Sequence, residues 1–386
     1  MPSLGKGVGL ALVVLAISAS AASAQAAAPA QRADRALDAA LERLTAMRGG
    51  PPGAAAVVQR RQARRLHVAG TANLRTGRRW RAQDHMRLAS VTKAYSGAVA
   101  LALVTRGVLR LDDTIGERLS DLPAAWAPVT LRQLLNHTSG LPNYTASMGF
   151  LAQLQANPHG FLSPRQLIDF VADEPLVFPP GSEYAYSNTD NVVVALMAEA
   201  ATGRAYEREL QARVFGPLDL GRTSLPSGFR LPRPFVHGYE VEPPRRPEDI
   251  STALSMSGVW ASGGMVSTPI ELNRFIRAYA GGRLFGPGPR AQQLRFVEGS
   301  SEPPGPGINS AGLAIFRYRT RCGTVYGHTG NFPGYTQFAA ATRNGRRSAT
   351  VSVNTQLSPD AGSPAVFRAL RRVDALAVCA ALARRR

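Results

Sequence analysis

Lysine is almost absent from this 386-residue sequence, although the chain is strongly basic. Of its 45 basic residues two are lysines, Lys6 and Lys93, and the other 43 are arginines. Arginine cannot give up its proton in a protein, whereas a desolvated lysine can titrate toward neutrality. A coding bias toward arginine would leave a few lysines at random positions. The alternative is that Lys93 is present because a site requires an amine.

Acidic residues are also few, 26 in all, which gives a formal net charge of +19. Such a charge suits anionic partners, but the arginines are scattered singly and in pairs apart from the terminal Arg384–Arg386. No basic run is interleaved with aromatic residues, and no nucleic-acid-binding module can be recognised. We expect a basic, solvated surface and no nucleic acid partner, with loose attraction to anionic cell-wall polymer as a secondary property.

Long hydrophobic runs are missing after the amino terminus. Residues 1–24 combine a single charge, an apolar stretch and a small-residue end, which is typical of a secretory signal peptide cleaved before Gln25. No later run is long and apolar enough to span a bilayer. We therefore expect residues 25–386 to be secreted or to reach the periplasm or cell-wall space, with no stable membrane anchor.

Cysteine is scarce too, since the chain has only Cys322 and Cys379. In an oxidising compartment two remaining cysteines are expected to pair, and two isolated thiols offer no ligand cluster for a metal. The Gly-x-Ser-x-Gly elbow, the His-Glu-x-x-His helix and the phosphate-binding loop are all absent. These absences argue against an α/β-hydrolase and a metallopeptidase, and we expect neither a metal nor a cofactor.

The predicted elements place strands at both ends of the chain and helices between them. Helices are predicted over 31–48 and 364–383, and strands over 54–59, 65–71, 313–318, 323–328, 337–342 and 349–354. This order predicts an α/β (α+β) fold, an antiparallel sheet flanked by helices and built from both chain termini, with an inserted, mostly helical lobe. The sheet lobe would comprise about 30–95 and 305–386, and the helical lobe about 96–304. A cleft should lie between them.

Ser90 stands three residues before Lys93, where a helix is predicted to begin. Side chains three apart on a helix share one face and can touch, and the amino end of a helix favours a developing alkoxide. A neutral Lys93 amine within hydrogen-bond reach could take the Ser90 proton, making Ser90 a nucleophile and Lys93 its base. Alone the pattern is weak evidence, because a helix cap followed by a surface lysine also produces it.

A second segment, after a Pro-Pro-Gly turn, supplies a phenol and an amide. Tyr186 and Asn188 lie two residues apart and therefore on the same side of an extended segment. A phenol near two cations could ionise and shuttle protons to a leaving group. The amide could hold both Lys93 and a substrate carbonyl.

A third segment, 326–331, is a predicted strand that contains His328, and its Gly330 lets another backbone approach closely. A peptide laid along this strand edge would present its carbonyl to the backbone amides of Ser90 and Asn331, which would form an oxyanion hole. The three segments together therefore predict acyl transfer through a serine.

Ser-x-x-Lys, Tyr-Ser-Asn and His-Thr-Gly, in this order and spacing, resemble the penicillin-recognising serine hydrolases, which include low-molecular-mass penicillin-binding proteins and class C β-lactamases. Three more stretches agree, 134–141, 186–189 and 263–268, and the resemblance covers about 36–380. Class C β-lactamases usually have lysine at the position of His328. The histidine form is similar to soluble exocellular D-alanyl-D-alanine carboxypeptidases, whose two cysteine positions match Cys322 and Cys379. A β-lactamase/transpeptidase-like fold is implied.

The resemblance also implies the catalytic roles. Ser90 would form the acyl-enzyme, and Lys93 would assist its deprotonation. Tyr186 would protonate the leaving amine and help activate water, Asn188 would position the substrate amide, and His328 would tune Tyr186. Whether Lys93 or Tyr186 is the acylation base stays open at this point. We expect His137, by contrast, to form a structural turn that closes the helical lobe.

For substrate binding the resemblance implies a site beside the same strand. Thr329 would bind the terminal carboxylate of the substrate, Trp260 would form an aromatic wall, and the arginine of the carboxypeptidases is matched ambiguously by Phe316 or Arg317. Asn331 stands where those enzymes have a second threonine. If neither hydroxyl nor guanidinium is available, recognition of a carboxylate weakens. The implied substrate-binding set is Thr329, Gly330, Asn331, Trp260 and Arg317.

The resemblance implies a function as well. We expect an exported, monomeric serine-type D-alanyl-D-alanine carboxypeptidase that acts on peptidoglycan stem peptides through an acyl-serine intermediate and binds β-lactams. A class C-like β-lactamase or an esterase at the same site is the first alternative. A non-catalytic penicillin-binding sensor on the same fold is the second, but that hypothesis predicts a lost nucleophile or lysine, and both are present here.

Overall fold

The computed structural model describes residue 2 and residues 28–383. Apart from residue 2, the predicted signal peptide, residues 1–24, lies outside the described residues, as does the terminal arginine run. Among the described helices, none combines the length and the hydrophobicity needed to cross a membrane.

A seven-stranded antiparallel sheet forms the centre of the molecule, in the order β2-β1-β11-β10-β9-β8-β7. Its strands are β1 (Gly53–Arg60), β2 (Ala63–Gly70), β7 (Ile308–Gly312), β8 (Ile315–Thr320), β9 (Gly323–Phe332), β10 (Tyr335–Ala341) and β11 (Arg347–Val353). Two short pairs lie outside it, β3 (Met86–Arg87) with β6 (Val266–Ser267) and β4 (Tyr239–Glu240) with β5 (Glu248–Asp249). The amino-terminal hairpin thus pairs with strands from the carboxyl-terminal part, as predicted.

Helices cover both faces of the sheet and fill the chain between β2 and β7. They are α1 (Pro29–Ala46), α2 (Thr92–Thr105), α3 (Ile115–Arg118), α4 (Leu131–Leu135), α5 (Met148–Ala156), α6 (Pro164–Asp169), α7 (Asn188–Thr202), α8 (Tyr206–Leu210), α9 (Gly216–Leu218), α10 (Trp260–Gly263), α11 (Pro269–Ala280), α12 (Pro287–Gln293) and α13 (Pro364–Leu382). The predicted fold class is therefore confirmed. The numbered lobe boundaries stay a prediction.

The sheet separates two hydrophobic cores because side chains alternate along each strand. Ala54, Ala56 and Val58 of β1 contact the core formed with α1 and α13, whereas Ala55 belongs to the core formed with α2 and α11. Strand β1 is accordingly buried on both faces, which explains its continuous apolar sequence.

Two local differences from the predicted elements have clear backbone causes. Strand β7 was not predicted, and the predicted strand over 313–318 begins only at Ile315, because Ala314 adopts a left-handed conformation with φ of 51° and turns the chain. Near Ser90, the helix α2 begins at Thr92. Ser90 itself lies in a short 3₁₀ turn, Ala89–Val91.

The two cysteines form a disulfide, which confirms the predicted pairing. Cys322 lies in the turn between β8 and β9 and Cys379 lies near the end of α13, and their Cα atoms are 5.1 Å apart. This spacing is ordinary for a disulfide. The bridge therefore ties the terminal helix to the turn that precedes the strand of the third motif.

Candidate active site

Ser90 lines an open cleft and lies in the 3₁₀ turn directly before helix α2, whose residues are buried almost throughout. Helix α2 is apolar on all sides, as expected for a helix that runs through the core. The residue before Ser90, Ala89, has φ of 50°, a left-handed conformation that is uncommon for a residue with a side chain. This turn leaves Ser90 half-buried, and Ser90 lines cavities on either side of it.

Lys93 is fully buried and its amine makes three close polar contacts. The Nζ atom lies 3.2 Å from Ser90 Oγ, 2.6 Å from Asn188 Oδ1 and 2.7 Å from the carbonyl oxygen of Ser262. Burial lowers the pKa of Lys93 to about 7, and the opposing charges of Glu302 and Asp190 limit the shift. A neutral amine has two N–H groups for the amide and carbonyl oxygens, and its lone pair then faces Ser90.

Asn188 opens helix α7 and is held in one orientation by two neighbours. Its Nδ2 donates to Asn143 Oδ1 at 3.2 Å and to Thr145 Oγ1 at 2.8 Å. The amide oxygen is thereby directed at Lys93. Sequence reasoning missed Asn143 and Thr145. Their position in the sequence could have indicated a role in the site, since they come shortly after the stretch 134–141 that resembles the family.

Tyr186 lies beside the lysine, with its ring centre 4.9 Å from Lys93 Nζ. Its hydroxyl is buried and makes no hydrogen bond of normal geometry within residues 28–383, although Ser90 is near enough to oppose the effect of burial on its pKa. Burial raises the pKa of Tyr186 well above its ordinary value. The sequence predicts a phenol that could ionise, whereas the structure favours a neutral phenol that can donate a proton.

His328 contributes a neutral imidazole to the site rather than a second cation. It is completely buried, its Nδ1 contacts the carbonyl oxygen of Thr329, and burial lowers its pKa to about 3. The His328 and Tyr186 ring centres are 6.4 Å apart. Its Nε2 has no hydrogen-bond partner among the described residues.

A buried histidine–carboxylate pair lies behind Tyr186. His137 Nδ1 lies 2.7 Å from Asp190 Oδ2, and Ser139 donates to the other oxygen of this carboxylate. Burial lowers the pKa of His137 to about 3. The His137 ring packs 4.5 Å from the Tyr186 ring, and its carbonyl accepts from the backbone of Ala185. The stretch predicted as a structural turn thus also supports the tyrosine.

Strand β9 passes directly over the Ser90 turn because Gly330 has no side chain. A Cβ at Gly330 would lie 2.4 Å from the Leu88 carbonyl oxygen and 3.0 Å from the Ser90 nitrogen. The neighbouring strand β8 pairs with β9 only as far as Gly327, so the following residues present an edge toward the cleft. The close approach predicted for this glycine is present.

Two of the residues expected to bind substrate have other contacts. The Thr329 side chain is buried and donates to the Pro303 carbonyl oxygen at 2.6 Å, because the loop 300–304 covers this face of β9. Arg317 stacks on Phe296 and donates to Ser310 on the neighbouring strand β7. Neither lines the cavities at Ser90. The structure thus places these two side chains away from the cavities, and the carboxylate site expected from them stays a prediction.

Trp260, expected to form an aromatic wall, also has its contacts away from Ser90. Its ring packs edge-on against Tyr206 with ring centres 5.3 Å apart, and its indole N–H donates to Glu207 at 3.0 Å. It is nearly buried and lines neither cavity at Ser90. The aromatic wall is supplied instead by Tyr184 on one side of Ser90 and by Phe150 and Phe332 on the other.

The cleft has two halves that share Ser90, Asn188 and Asn331. The polar half has a volume of about 500 Å³ and the apolar half about 330 Å³. The side chains that distinguish the polar half are Tyr184, Tyr186, Ser300, Glu302 and Asp360. Those that distinguish the apolar half are Phe150, Leu151, Leu154, Leu254, Val259 and Phe332.

Known proteins share this arrangement of elements and motifs. The family model described as Beta-lactamase matches residues 34–372. The chain belongs to the Beta-lactamase family. This membership confirms the resemblance to the penicillin-recognising serine hydrolases that the motifs indicated.

Individual relatives cover different parts of the chain. Penicillin-binding protein 4* of Bacillus subtilis (strain 168) is 26% identical over 282 residues, which is 70% of this chain and 60% of that protein. A D-aminopeptidase of Cereibacter sphaeroides is 32% identical over 215 residues, 53% of this chain and 39% of that protein. A solved D-stereospecific amidohydrolase from Streptomyces sp. is 30% identical with a TM-score of 0.75, covering 86% of this chain and 97% of that chain. The match therefore spans less than two thirds of the length of either of the first two relatives.

Proposed function

We propose that this Beta-lactamase family member hydrolyses amide bonds next to D-amino acid residues through an acyl intermediate on Ser90. The observation that carries the proposal is the 3.2 Å contact between Ser90 Oγ and the buried amine of Lys93, whose pKa is lowered to about 7. A positioned base with a pKa near the working pH is what deprotonation of a serine requires.

Acylation would begin when neutral Lys93 takes the Ser90 proton and Oγ attacks the substrate carbonyl. The backbone N–H groups of Ser90 and Asn331 would hold the oxyanion, since Gly330 brings the two segments together. Tyr186 would donate its hydroxyl proton to the leaving amine and regain one from Lys93. Water would then hydrolyse the acyl-enzyme. In this scheme Lys93 is the acylation base, because burial keeps Tyr186 protonated.

Amide cleavage without a carboxylate requirement departs from the carboxypeptidase expected from the sequence. Support comes from Thr329 and Arg317, whose polar groups are engaged away from Ser90. The preference for D-residues is supported by similarity to the D-stereospecific amidohydrolase and the D-aminopeptidase. D-alanyl-D-alanine carboxypeptidase remains the second candidate, since penicillin-binding protein 4* is also a relative.

The test measures the cleavage of three substrates by the wild-type protein and by the Ser90→Ala variant. D-alanine p-nitroanilide reports amidase activity, a diacylated Lys-D-Ala-D-Ala peptide reports carboxypeptidase activity, and a chromogenic cephalosporin reports β-lactamase activity. We expect the anilide to be cleaved fastest, with the D-isomer preferred to the L-isomer. Ser90→Ala should lower this rate on the order of 10⁴-fold or more.

The exposed Ser182 provides a matched control, since its hydroxyl contacts only a local carbonyl. Ser182→Ala should keep the wild-type rate. Amide cleavage by Ser90→Ala at the wild-type rate would contradict the assignment of the nucleophile. Faster release of D-alanine from the acylated peptide would favour the carboxypeptidase, and rapid turnover of the cephalosporin would favour a β-lactamase.

A further inference from the structure

The polar half of the cleft carries acidic charge inside a strongly basic protein. Glu302 and Asp360 are the charged side chains among the described residues that line this cavity, and no arginine lines it. The whole chain has a formal net charge of +19. Chance placement of basic side chains would favour arginine here, so the acidic character requires an explanation.

Glu302 and Asp360 are both exposed at the rim of the cavity, and neither side chain has an ion-pair or hydrogen-bond partner among the described residues. Several acidic residues elsewhere are paired with arginines: Asp113, for example, contacts Arg110 and Arg118 at 3.0 and 2.6 Å. In the cleft, partial desolvation raises the pKa of Glu302, Lys93 opposes this effect, and the charge of Asp360 adds to it. Among the described residues Lys93 is thus the cation that opposes this repulsion, and no arginine lining the cavity adds to it.

The loop that carries Glu302 is held in place on three sides. The Tyr184 hydroxyl donates to the Ser300 carbonyl oxygen, the Tyr318 hydroxyl donates to Ser301 at 3.0 Å, and Thr329 donates to the Pro303 carbonyl oxygen. These bonds fix the backbone on both sides of Glu302. The carboxylate is thus presented to the cavity by a preorganised loop, as expected of a binding site.

An independent observation points to a polar ligand in the same cavity. Tyr186 is 9% exposed and lines this cavity, and its hydroxyl makes no hydrogen bond of normal geometry among the described residues, with Ser90 as the nearby polar group. Buried hydroxyls are normally satisfied. A substrate amine can satisfy it, because an N–H group that enters the cavity would donate to the phenol oxygen.

We propose that the polar half of the cleft is a cation subsite, in which Glu302 and Asp360 bind a protonated amine of the substrate. The proposal rests on the function proposed above and names its substrate class. Substrates carry an apolar group in the half lined by Phe150, Leu154 and Val259, the scissile amide at Ser90, and an ammonium group in the polar half. A free carboxylate at the same place would meet like charges.

The test uses amides of N-acetyl-D-phenylalanine that differ only in the end of the amine part. The 2-aminoethyl amide carries a cation, the propyl amide is neutral, and the β-alanine amide carries an anion. In a second pair, D-phenylalanine p-nitroanilide and its N-acetyl derivative, the cation lies on the acyl side. In at least one of these two substrate sets, the compound with the cation should have a kcat/KM about three- to fivefold higher per carboxylate than its neutral partner. Among the three N-acetyl-D-phenylalanine amides, the anionic β-alanine amide should be cleaved slowest.

Glu302→Gln should remove most of the cation preference, and the double variant Glu302→Gln/Asp360→Asn should abolish it. The ratio of kcat/KM values within one variant is the readout, because a change in the Lys93 pKa affects all amides alike. Glu240→Gln removes an exposed carboxylate outside the cavity and should leave the ratio unchanged.

The outcomes separate the two proposals. Equal kcat/KM values for cationic and neutral amides in both arrangements, or a ratio that Glu302→Gln leaves at the wild-type value, overturn the cation subsite alone. Failure of the wild type to cleave any of the amides overturns the proposed function together with it.

Discussion

Burial sets the protonation state of each polar group around Ser90. It lowers the pKa of Lys93 to about 7 and those of His137 and His328 to about 3, and it raises the pKa of Tyr186 well above 10. The imidazoles and the phenol are therefore neutral between pH 5 and 9. Within this group of side chains Lys93 is the one that titrates near neutrality.

A pH profile follows from the direction of the Lys93 shift. Below pH 7 the amine is protonated and cannot accept the Ser90 proton, whereas above pH 7 it is neutral, so kcat/KM should rise about tenfold per pH unit up to about 7 and then level off. Lys93→Arg should lose on the order of 10²- to 10⁴-fold in kcat/KM, since a guanidinium stays charged. Stopped-flow acylation by an ester substrate between pH 5 and 9 measures both.

A kcat/KM that keeps rising up to pH 9, instead of levelling off near pH 7, would contradict this assignment and favour tyrosine as the base. The chain supplies a control in Tyr186→Phe, which removes the proton donor to the leaving group and keeps the lysine. This variant should slow amide cleavage more than ester cleavage while kcat/KM still levels off near pH 7.

At the scale of residues, the sequence predicted which side chains come together around Ser90. It did not predict which of the expected substrate-binding side chains form hydrogen bonds with other parts of the protein. The spacing of Ser90 and Lys93, and the alternation of Tyr186 and Asn188, follow from local geometry, and the structure brings all four together. The contact that removes Thr329 from the cleft depends on a distant loop without a recognisable motif. Glu302 lies on that loop and was missed for the same reason.

At the scale of elements, the site depends on the close contact between β9 and the Ser90 turn. Gly330→Ala should push them apart, because the new Cβ would lie 2.4 Å from a backbone oxygen that cannot rotate away. We expect a loss on the order of 10²-fold in kcat/KM from the displaced oxyanion site and about 1–3 kcal/mol in the free energy of unfolding. Steady-state kinetics and chemical denaturation measure the two effects.

Gly288→Ala is the matched control for this substitution. A Cβ at Gly288 would meet no atom within 4 Å, and the residue lies in helix α12, where alanine is favoured. It should keep wild-type activity and equal or higher stability. Unchanged kcat/KM in Gly330→Ala would show that the oxyanion site does not depend on this contact.

The elements themselves were predictable wherever the apolar pattern was long. The hairpin β1–β2 and the strands β9, β10 and β11 were found within a few residues. Strands β1, β10 and β11 are buried almost throughout, and all five strands are bounded by turn residues. The strand β7 was not found. It pairs with β8 across the left-handed turn at Ala314. Alanine rarely adopts this conformation, so nothing in the sequence indicated a turn at this position.

At the scale of the whole molecule, two electrostatic fields of opposite sign act on a cationic substrate. The scattered arginines repel it over long distances, whereas Glu302 and Asp360 attract it inside the cleft. Salt screens the long-range field first, because the Debye length falls from about 30 Å at 0.01 M to about 8 Å at 0.15 M. The two contributions can therefore be separated by ionic strength.

We expect kcat/KM of the 2-aminoethyl amide relative to the propyl amide to rise about two- to threefold between 0.01 and 0.15 M salt, since repulsion weakens more than the contact with Glu302. The relative value for the β-alanine amide should fall over the same range. Glu302→Gln should lower the cation preference at every salt concentration and keep the same slope, because the arginines are unchanged. A preference that falls with salt in the wild type would mean that the acidic cleft, not the basic surface, dominates the approach of the substrate.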